Sequence, residues 1–280
     1  MKVALVQTDT IWQDPEANFA KVDRMLDALG DQKPELICLP EMFSTGYTKD
    51  RTLWEDAEGK TFQFCQDLAK RRGAWVQGTF PETCDLEVSQ GVTPDGEAKG
   101  YNTSVVIDPS GALRCRYYKM HPFTHVKEHH FYNRGDALPV FELGPFNAAT
   151  PICYDLRFPE IFRQAAFRGA NLFIVPANWP VERKHHWRAL AIARAIENLS
   201  YVVAINRVGT GGGLTYAGPS LVISPQGDVL METDGTELIA MVDIDRDEVT
   251  RTRERFGFLN DMRADLFPDL FSHATQHAHA

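Results

Sequence analysis

Three separate segments carry side chains suited to nucleophilic chemistry: a thiol, a carboxylate and an ammonium group. Cys153 lies in "ATPICYDLRFPE", Glu41 closes "ELICLPE", and Lys119 lies in "RCRYYKMHPF". A thiol with an unperturbed pKa near 8.5 is mostly protonated at pH 7, so it needs a base before it can attack. A lysine held near a carboxylate stays charged and can stabilise an oxyanion. Together the three groups suit attack by sulfur on an electrophilic carbon.

Cys153 stands where a strand is predicted to give way to a helix. "AATPICYD" reads as a strand with a sharp exit, and "FPEIFRQAAFRG" as the helix that follows. Such a turn lifts a nucleophile out of the sheet, and nearby N–H groups, especially that of Tyr154, can meet an oxyanion. The positive end of the helix also favours the thiolate. The alternative is a packed core cysteine.

Glu41 and Lys119 each have an ordinary alternative as well. Glu41 ends an apolar strand, where α/β folds place working side chains, but it also fits a solvated loop. Lys119 has aromatic and apolar neighbours, but it also fits a surface lysine whose stem packs on the protein. Each residue alone is ambiguous, and only the combination points to a site.

The elements that must position these residues are short strands alternating with helices, which predicts an α/β architecture. Strands are predicted in runs rich in Val and Ile: "KVALVQ", "LICLPE", "AWVQGTF", "TSVVIDP", "NLFIVPAN", "YVVAINRVG", "SLVISP" and "IAMVDID". Apolar periodicity predicts helices in "DPEANFAKVDRMLDALG", "TFQFCQDLAKRRG", "FPEIFRQAAFRGA" and "VERKHHWRALAIARAIENLS". Asp14-Pro15 marks the start of the first helix, and Gly30 and Gly73 the ends of the first two.

Two similar turns, "DPSG" and "SPQGD", predict antiparallel or mixed strand pairing and are in keeping with two similar halves. No linker or low-complexity run divides the chain. We therefore expect a single domain over residues 1–270. The tail "FSHATQHAHA", residues 271–280, is expected to be flexible.

Composition limits the partners and the setting. The 280 residues are 44% hydrophobic and 24% charged, as in a globular protein, and a net charge of −9 disfavours nucleic acid as the main partner. The five cysteines are odd in number and widely spaced, so neither a disulfide framework nor a Cys-rich zinc site is expected. No signal peptide or 18-residue apolar run is present, so no membrane association and a reducing cytoplasmic setting are expected.

The segments around Glu41, Lys119 and Cys153 resemble the Glu–Lys–Cys triad of the nitrilase superfamily, the carbon–nitrogen hydrolases. The matching segments are "LPEMF", "YYKMH" and "CYDLRFPE", with further likeness from "VALVQTD" to "SLVISPQGDVL". Glu128, in "KEHHFYNRGD", resembles an additional glutamate that many members place near the triad. The resemblance implies a four-layer αββα sandwich, frequently dimerised so that two sheets stack across the interface.

Within that superfamily, "CYDLRFPE", "ANWP" and "ENLSYVVAINRVG" look most like the omega-amidase branch. The branch implies hydrolysis of small alpha-keto acid amides such as 2-oxoglutaramate, through a thioester on Cys153 with Glu41 as the base. It implies a small-molecule amide as partner, a homodimer or higher homo-oligomer, and no metal or organic cofactor. Nitrilase, aliphatic amidase and N-carbamoyl amidohydrolase activities remain as alternatives.

Four further residues are expected around the pocket. Asn178 and Trp179 follow the strand "NLFIVPA", although Trp179 also fits the core. Arg207 and Arg157 could bind a substrate carboxylate through two parallel hydrogen bonds. For Arg157 we favour instead an ion pair with Asp155 or Glu160 that shapes the turn.

Two rival functions also follow from the residues. "HVKEH" matches the H-x-x-E-H pattern of inverted zinc peptidases, which makes His125, Glu128 and His129 an alternative metal site. The segment has no long helical stripe, which weakens that alternative. A binding protein that has lost its chemistry is the second rival, and the intact Glu41, Lys119 and Cys153 argue against it.

Overall fold

Alternate side chains of β1 (Lys2–Gln7) point into two different cores. Val3 and Leu5 lie in a core shared by two sheets, whereas Ala4 and Val6 lie in a core beneath helices. Successive side chains of a strand point to opposite faces, so a strand covered on both sides must be apolar throughout. The computed structural model, which describes residues 1–266, is built in this way over both of its large sheets.

The first sheet has six strands, in the spatial order β14-β1-β2-β3-β4-β5. Strands β1, β2 and β3 are parallel, and the remaining pairings are antiparallel. The other bounds are β2 (Leu36–Cys38), β3 (Trp75–Glu82), β4 (Tyr101–Ile107), β5 (Leu113–Tyr118) and β14 (Leu238–Asp243).

The second sheet repeats this plan, in the order β13-β12-β9-β8-β7-β6. Its strands are β6 (Phe141–Leu143), β7 (Phe146–Ala149), β8 (Leu172–Ala177), β9 (Tyr201–Asn206), β12 (Leu221–Ile223) and β13 (Val229–Glu232). Strands β7, β8 and β9 are parallel, and a separate hairpin is formed by β10 (Val208–Gly211) and β11 (Leu214–Ala217). "DPSG" joins β4 to β5 and "SPQGD" joins β12 to β13, which confirms the predicted antiparallel pairing.

Helices cover the outer face of each sheet. The bounds are α1 (Pro15–Asp27), α2 (Lys60–Arg72), α3 (Pro159–Phe167), α4 (Lys184–Asn198) and α5 (Arg246–Arg255). The first two pack on the first sheet, and α3 and α4 pack on the second. The four-layer αββα sandwich implied by the family resemblance is therefore confirmed. The tail predicted at 271–280 lies outside the described residues.

Local sequence explains where several of these helices and strands begin or end. The side chain of Asp14 accepts a hydrogen bond from the N–H of Ala17 at the start of α1, and Gly73 ends α2 with φ of +61°. The strand predicted as "LICLPE" stops at Cys38, two residues before Pro40, which has no N–H for the sheet. Among residues 1–266, no helix combines the length and the apolar character needed to cross a membrane.

Candidate active site

The carboxyl ends of parallel strands from both sheets meet at one place, and the residues that follow them form a site. Glu41 follows β2 and Lys119 follows β5, and the Lys119 Nζ lies 2.9 Å from the Glu41 Oε1. Glu128 belongs to a 3₁₀ turn, and its two carboxylate oxygens lie 3.1 and 3.0 Å from the same Nζ. All three side chains are buried. The structure thus places one ammonium group between two carboxylates.

Buried charges need partners, and this cluster provides them. Burial lowers the pKa of Lys119, but the carboxylates of Glu128 and Glu41 raise it by more. The pKa of the lysine therefore lies well above its usual range. Burial raises the pKa of Glu128, while the charge of Lys119 counteracts part of that rise. The lysine is therefore a fixed positive charge at the base of the site.

Cys153 opens a tight 3₁₀ turn (Cys153–Arg157) between β7 and α3. Its φ of +47° lies in the left-handed region, which is uncommon for a residue other than glycine. Buried Asp155 holds the turn, because its carboxylate accepts hydrogen bonds from the Ile152 N–H, the Tyr117 hydroxyl and the His121 N–H. The predicted sharp exit is present, with a 3₁₀ turn inserted before the helix.

The surroundings of Cys153 favour the neutral thiol over the thiolate in the resting protein. Burial and the nearby carboxylate of Glu41 raise its pKa well above the usual value, while Lys119 and the N–H of Asn178 oppose the rise. The predicted effect of a helix end does not bring the pKa of this thiol below its usual value, because burial and Glu41 outweigh the groups that favour the thiolate. The Glu41 carboxylate lies within hydrogen-bonding reach of the thiol, so a base is available where it is needed.

Asn178 and Trp179 follow β8 and hold the site as well as bordering it. The N–H of Asn178 donates to the Glu41 Oε2 at 2.9 Å, and its side-chain amide donates to the Glu41 carbonyl at 2.9 Å. Trp179 is buried and packs on Trp187 at 5.3 Å between ring centroids. Both residues therefore belong to the pocket wall, and Trp179 also belongs to the core.

Two narrow, adjoining cavities of about 40 and 30 Å³ lead to the thiol. Tyr154 lines the second, where its ring packs against Phe123 at 4.5 Å. The combined lining is Glu41, Tyr47, Lys119, Phe123, Val126, Glu128, Cys153, Tyr154, Arg157, Asn178, Trp179, Pro180, Arg183, Leu214 and Tyr216.

Arg207 is not among these residues, so its prediction as a carboxylate ligand is corrected. Its guanidinium is buried and donates to the carbonyl oxygens of Val208, Thr10 and Thr210. It also lies 4.7 Å from the ring of Tyr216. A strand-end arginine can turn into the protein as readily as into a pocket, and the sequence does not distinguish the two.

Two other arginines line the cavity. Arg183 lies 5.5 Å from the ring of Phe123, and Arg157 lies 4.9 Å from the ring of Trp179. Within residues 1–266 neither forms a salt bridge, so the ion pair favoured for Arg157 is wrong. Arg183 was missed, although its position three residues after "NWP" was a usable signal.

The sequence did not indicate Asn102, which contacts both acids. The contacts of Glu128 also argue against the zinc site proposed for His125, Glu128 and His129. The buried side-chain amide of Asn102 donates to both Glu41 and Glu128. The carboxylate of Glu128 is bonded to Lys119, to Asn102 and to the N–H of Phe123. No group of three or more metal-binding side chains converges among the described residues.

Comparison with known proteins gives a consistent result over the whole length. The profile of the family described as carbon-nitrogen hydrolase matches residues 2–254. A 2-oxoglutaramate amidase of Bacillus subtilis (strain 168) is 32% identical over 267 residues, which cover 95% of this chain and 98% of the relative.

Two solved structures share the architecture. A CN-hydrolase superfamily protein of Xanthomonas campestris, with an arsenic adduct in its active site, superposes with a TM-score of 0.84 at 32% identity. The matched region covers 94% of this chain and 97% of that protein. A mutant amidase of Nesterenkonia sp. AN1, with acrylamide added to its active-site cysteine, gives a TM-score of 0.80 at 27% identity. That match covers 96% and 99% of the two chains.

Proposed function

Because the chain belongs to the carbon–nitrogen hydrolase family and is a hydrolase of non-peptide carbon–nitrogen bonds, we propose that it cleaves alpha-keto acid amides such as 2-oxoglutaramate. The products are the dicarboxylate and ammonia. One observation carries the proposal: a thiol, a carboxylate and a lysine line two adjoining cavities together with two arginines that form no salt bridge within residues 1–266. The first three groups supply amide hydrolysis, and the arginines supply recognition of a second, anionic end.

Acylation begins with proton transfer from Cys153 to Glu41. The Glu41 Oε1 already accepts two hydrogen bonds, from Lys119 and Asn102, whereas Oε2 accepts one, from the N–H of Asn178, so Oε2 takes the proton. Sulfur then forms a bond to the amide carbon, and the oxyanion is stabilised by Lys119 and the N–H of Tyr154. When the carbon–nitrogen bond breaks, Glu41 returns the proton to the leaving nitrogen and ammonia departs.

Deacylation uses the same groups in reverse order. Glu41 removes a proton from water, and the hydroxide oxygen forms a bond to the thioester carbon. The carbon–sulfur bond breaks, the proton passes to sulfur, and the carboxylate product leaves. Glu128 keeps Lys119 charged and in place through both steps, since its two oxygens hold the ammonium group.

Recognition of the anionic end is assigned to Arg183 and Arg157. Both line the cavity that contains Cys153, and each guanidinium lies beside an aromatic ring, Trp179 for Arg157 and Phe123 for Arg183. A guanidinium can form two parallel hydrogen bonds with a carboxylate. A substrate with a carboxylate at one end and an amide at the other satisfies both parts of the site.

Replacement of Cys153 tests the chemistry. In Cys153→Ala we expect ammonia release from 2-oxoglutaramate to fall to background while the circular dichroism spectrum and melting temperature stay close to wild type. Cys84→Ala, at a free and partly exposed cysteine outside the cavity, is the matched control and should keep full activity. Near-normal turnover by Cys153→Ala contradicts the mechanism.

Comparison of substrates tests the specificity. We expect kcat/KM for 2-oxoglutaramate to exceed that for an uncharged amide of similar size. Arg183→Gln should lower kcat/KM by about 30-fold for the charged substrate only, the effect of one lost hydrogen bond to a charged group. A preference for the uncharged amide, a nitrile or an N-carbamoyl amine assigns the protein to another branch of its family.

We further propose a single domain over 1–270 that forms a homodimer in a reducing, cytoplasmic setting. All five cysteines are free. Ile196, Phe256 and Phe258 expose apolar surface, and Leu199 and Phe256 line a groove of about 520 Å³. Light scattering should give twice the chain mass, and Ile196→Asp should shift the mass toward the monomer. A monomeric wild type contradicts the dimer.

A further inference from the structure

The amide of Asn102 lies where two carboxylates approach each other. Its Nδ2 is 2.8 Å from the Glu41 Oε1 and 3.1 Å from the Glu128 Oε1. Lys119 Nζ donates to the same two oxygens, at 2.9 and 3.1 Å. Two donors therefore bridge one pair of oxygens, and only one of these donors carries a charge.

The orientation of this amide follows from its partners. Both hydrogens of the Nδ2 group are used by carboxylates, whereas the Oδ1 is buried and has no hydrogen-bond partner among the described residues. A buried acceptor without a partner is costly, so an ordinary packing role does not explain it. The opposite orientation would point Oδ1 at two carboxylate oxygens, which is worse. The Oδ1 of Asn102 therefore stays without a partner, while its Nδ2 donates two charge-assisted hydrogen bonds.

We propose that Asn102 is a positioning residue that holds Glu41 and Glu128 side by side as carboxylates, so that Lys119 stays between them. A lysine at position 102 would add a second positive charge beside the two carboxylates. An apolar residue there would leave Lys119 as the one donor that bridges their oxygens. Strand β4 fixes the residue, because the Asn102 carbonyl also accepts the N–H of Lys119 at 2.9 Å. Asn102 thereby positions both the backbone of Lys119 and the two carboxylates.

The electrostatics agree with this role. Burial is the main cause that raises the pKa of Glu128, and the hydrogen bond from Asn102 is one of those that lower it. Loss of the amide should therefore raise the pKa of Glu128 further and favour its neutral form. Besides Glu41, the titratable groups that interact with this acid are Lys119, Tyr47, Tyr132 and Lys49, and Cys153 interacts with its neighbour Glu41.

The test uses Asn102→Leu, which keeps the branching of the side chain and removes the donor, and Asn102→Asp, which keeps the shape and replaces the amide by an acid. The first readout is the pH profile of kcat/KM, which rests on the proposed function. The second is the pH dependence of alkylation of Cys153 by iodoacetamide in the resting protein, which needs no substrate. In both readouts the acid limb should move to higher pH by about one unit in Asn102→Leu and by at least as much in Asn102→Asp.

Asn171→Leu is the matched control, because Asn171 is equally buried but bonds to the backbone of Asn147 away from the site. It should lower the melting temperature and leave both profiles in place. Unshifted acid limbs in folded Asn102 variants overturn the proposal; if Asn102→Leu does not fold, Asn102→Asp decides. If the wild type hydrolyses no amide, the proposed function fails while the alkylation profile still tests Asn102.

Discussion

Lys119 keeps its charge inside the protein because acids lie on two sides of it. A lone buried lysine loses its proton readily, since burial disfavours the charged form. Here the interactions with Glu128 and Glu41 raise the pKa of the lysine despite burial. Glu41 also interacts with the thiol of Cys153, so the resting site favours a proton on sulfur and a positive charge on nitrogen.

Glu128→Gln separates the roles of the two acids. We expect kcat to fall by about 100-fold, because the lysine loses the partner that holds it toward the oxyanion. Glu128 is the strongest of the charges that raise the pKa of Lys119, so the alkaline limb of kcat/KM should move to lower pH. Steady-state kinetics against pH measure both effects, and the melting temperature verifies folding.

Labelling of Cys153 by iodoacetamide should persist in Glu128→Gln, because the thiol and Glu41 remain. Wild-type kcat and an unmoved alkaline limb would show that Glu128 plays no part in turnover. Loss of labelling together with turnover would instead identify Glu128 as the principal base.

At this scale the sequence predicts the candidate reactive residues and Asn178, but not Asn102. Glu41, Lys119, Cys153 and Glu128 have reactive side chains in segments that resemble a family. Asn102 lies in "YNTSVVID", where an asparagine at the start of a strand has no feature that separates it from a solvated one. Its role depends on two acids distant in the chain, a relation that only the fold supplies.

Short strands and turns position the residues of the site. Strand β2 has three residues and carries Glu41 beyond its end, and the Cys153 turn has five residues. The hairpin of β10 and β11 closes the cavity with Leu214 and Tyr216. Arg207 lies behind that hairpin and ties it to the carbonyl oxygen of Thr10.

Arg207→Met tests whether this arginine is structural. The variant leaves three carbonyl oxygens without their donor and should lower the free energy of unfolding by about 3 kcal/mol. The preference for charged over uncharged amides should stay as in wild type. Urea denaturation and substrate comparison measure the two quantities.

Arg188→Met is the control, since its pair with Glu232 is exposed and should contribute less than about 1 kcal/mol. A folded, stable Arg207→Met that no longer prefers charged amides would restore Arg207 as the carboxylate ligand.

At this scale the sequence predicted elements where local rules act. Asp14 and Gly73 mark helix ends because capping is local. Helix α5 was not predicted, because it is highly charged and buries only Val249 and Thr252. "YVVAINRVG" was read as one strand, but Arg207 divides it into β9 and β10 by turning its side chain inward.

The whole molecule depends on the contact between its two sheets. Cys153 follows β7 of the second sheet, whereas Glu41 and Lys119 follow β2 and β5 of the first. Gln7, at the end of β1, joins the halves: its amide donates to the carbonyl oxygens of Asp234 and Thr236, and its Oε1 accepts from Ser220 and Thr233. This buried network fixes the relative register of the sheets, which the sequence did not reveal.

Gln7→Leu should lower the free energy of unfolding by about 3 kcal/mol, because several buried polar groups lose their partner at once. Urea denaturation measures the change. Gln226→Leu, at an exposed glutamine in a turn, is the control and should stay within about 0.5 kcal/mol of wild type. Equal stabilities of the two variants would show that the network does not hold the sheets together.

Strand β14 completes the first sheet by pairing with β1, and the two lie at opposite ends of the described chain: Lys2 pairs with Asp243. During synthesis the ribosome releases Glu41 and Lys119 well before it releases this last strand. Until residues 238–243 emerge, β1 has β2 as its one sheet neighbour and keeps an open edge on the other side. A stalled or truncated nascent chain that ends before β14 therefore carries all the reactive groups but exposes an unpaired strand edge, which favours association with other chains.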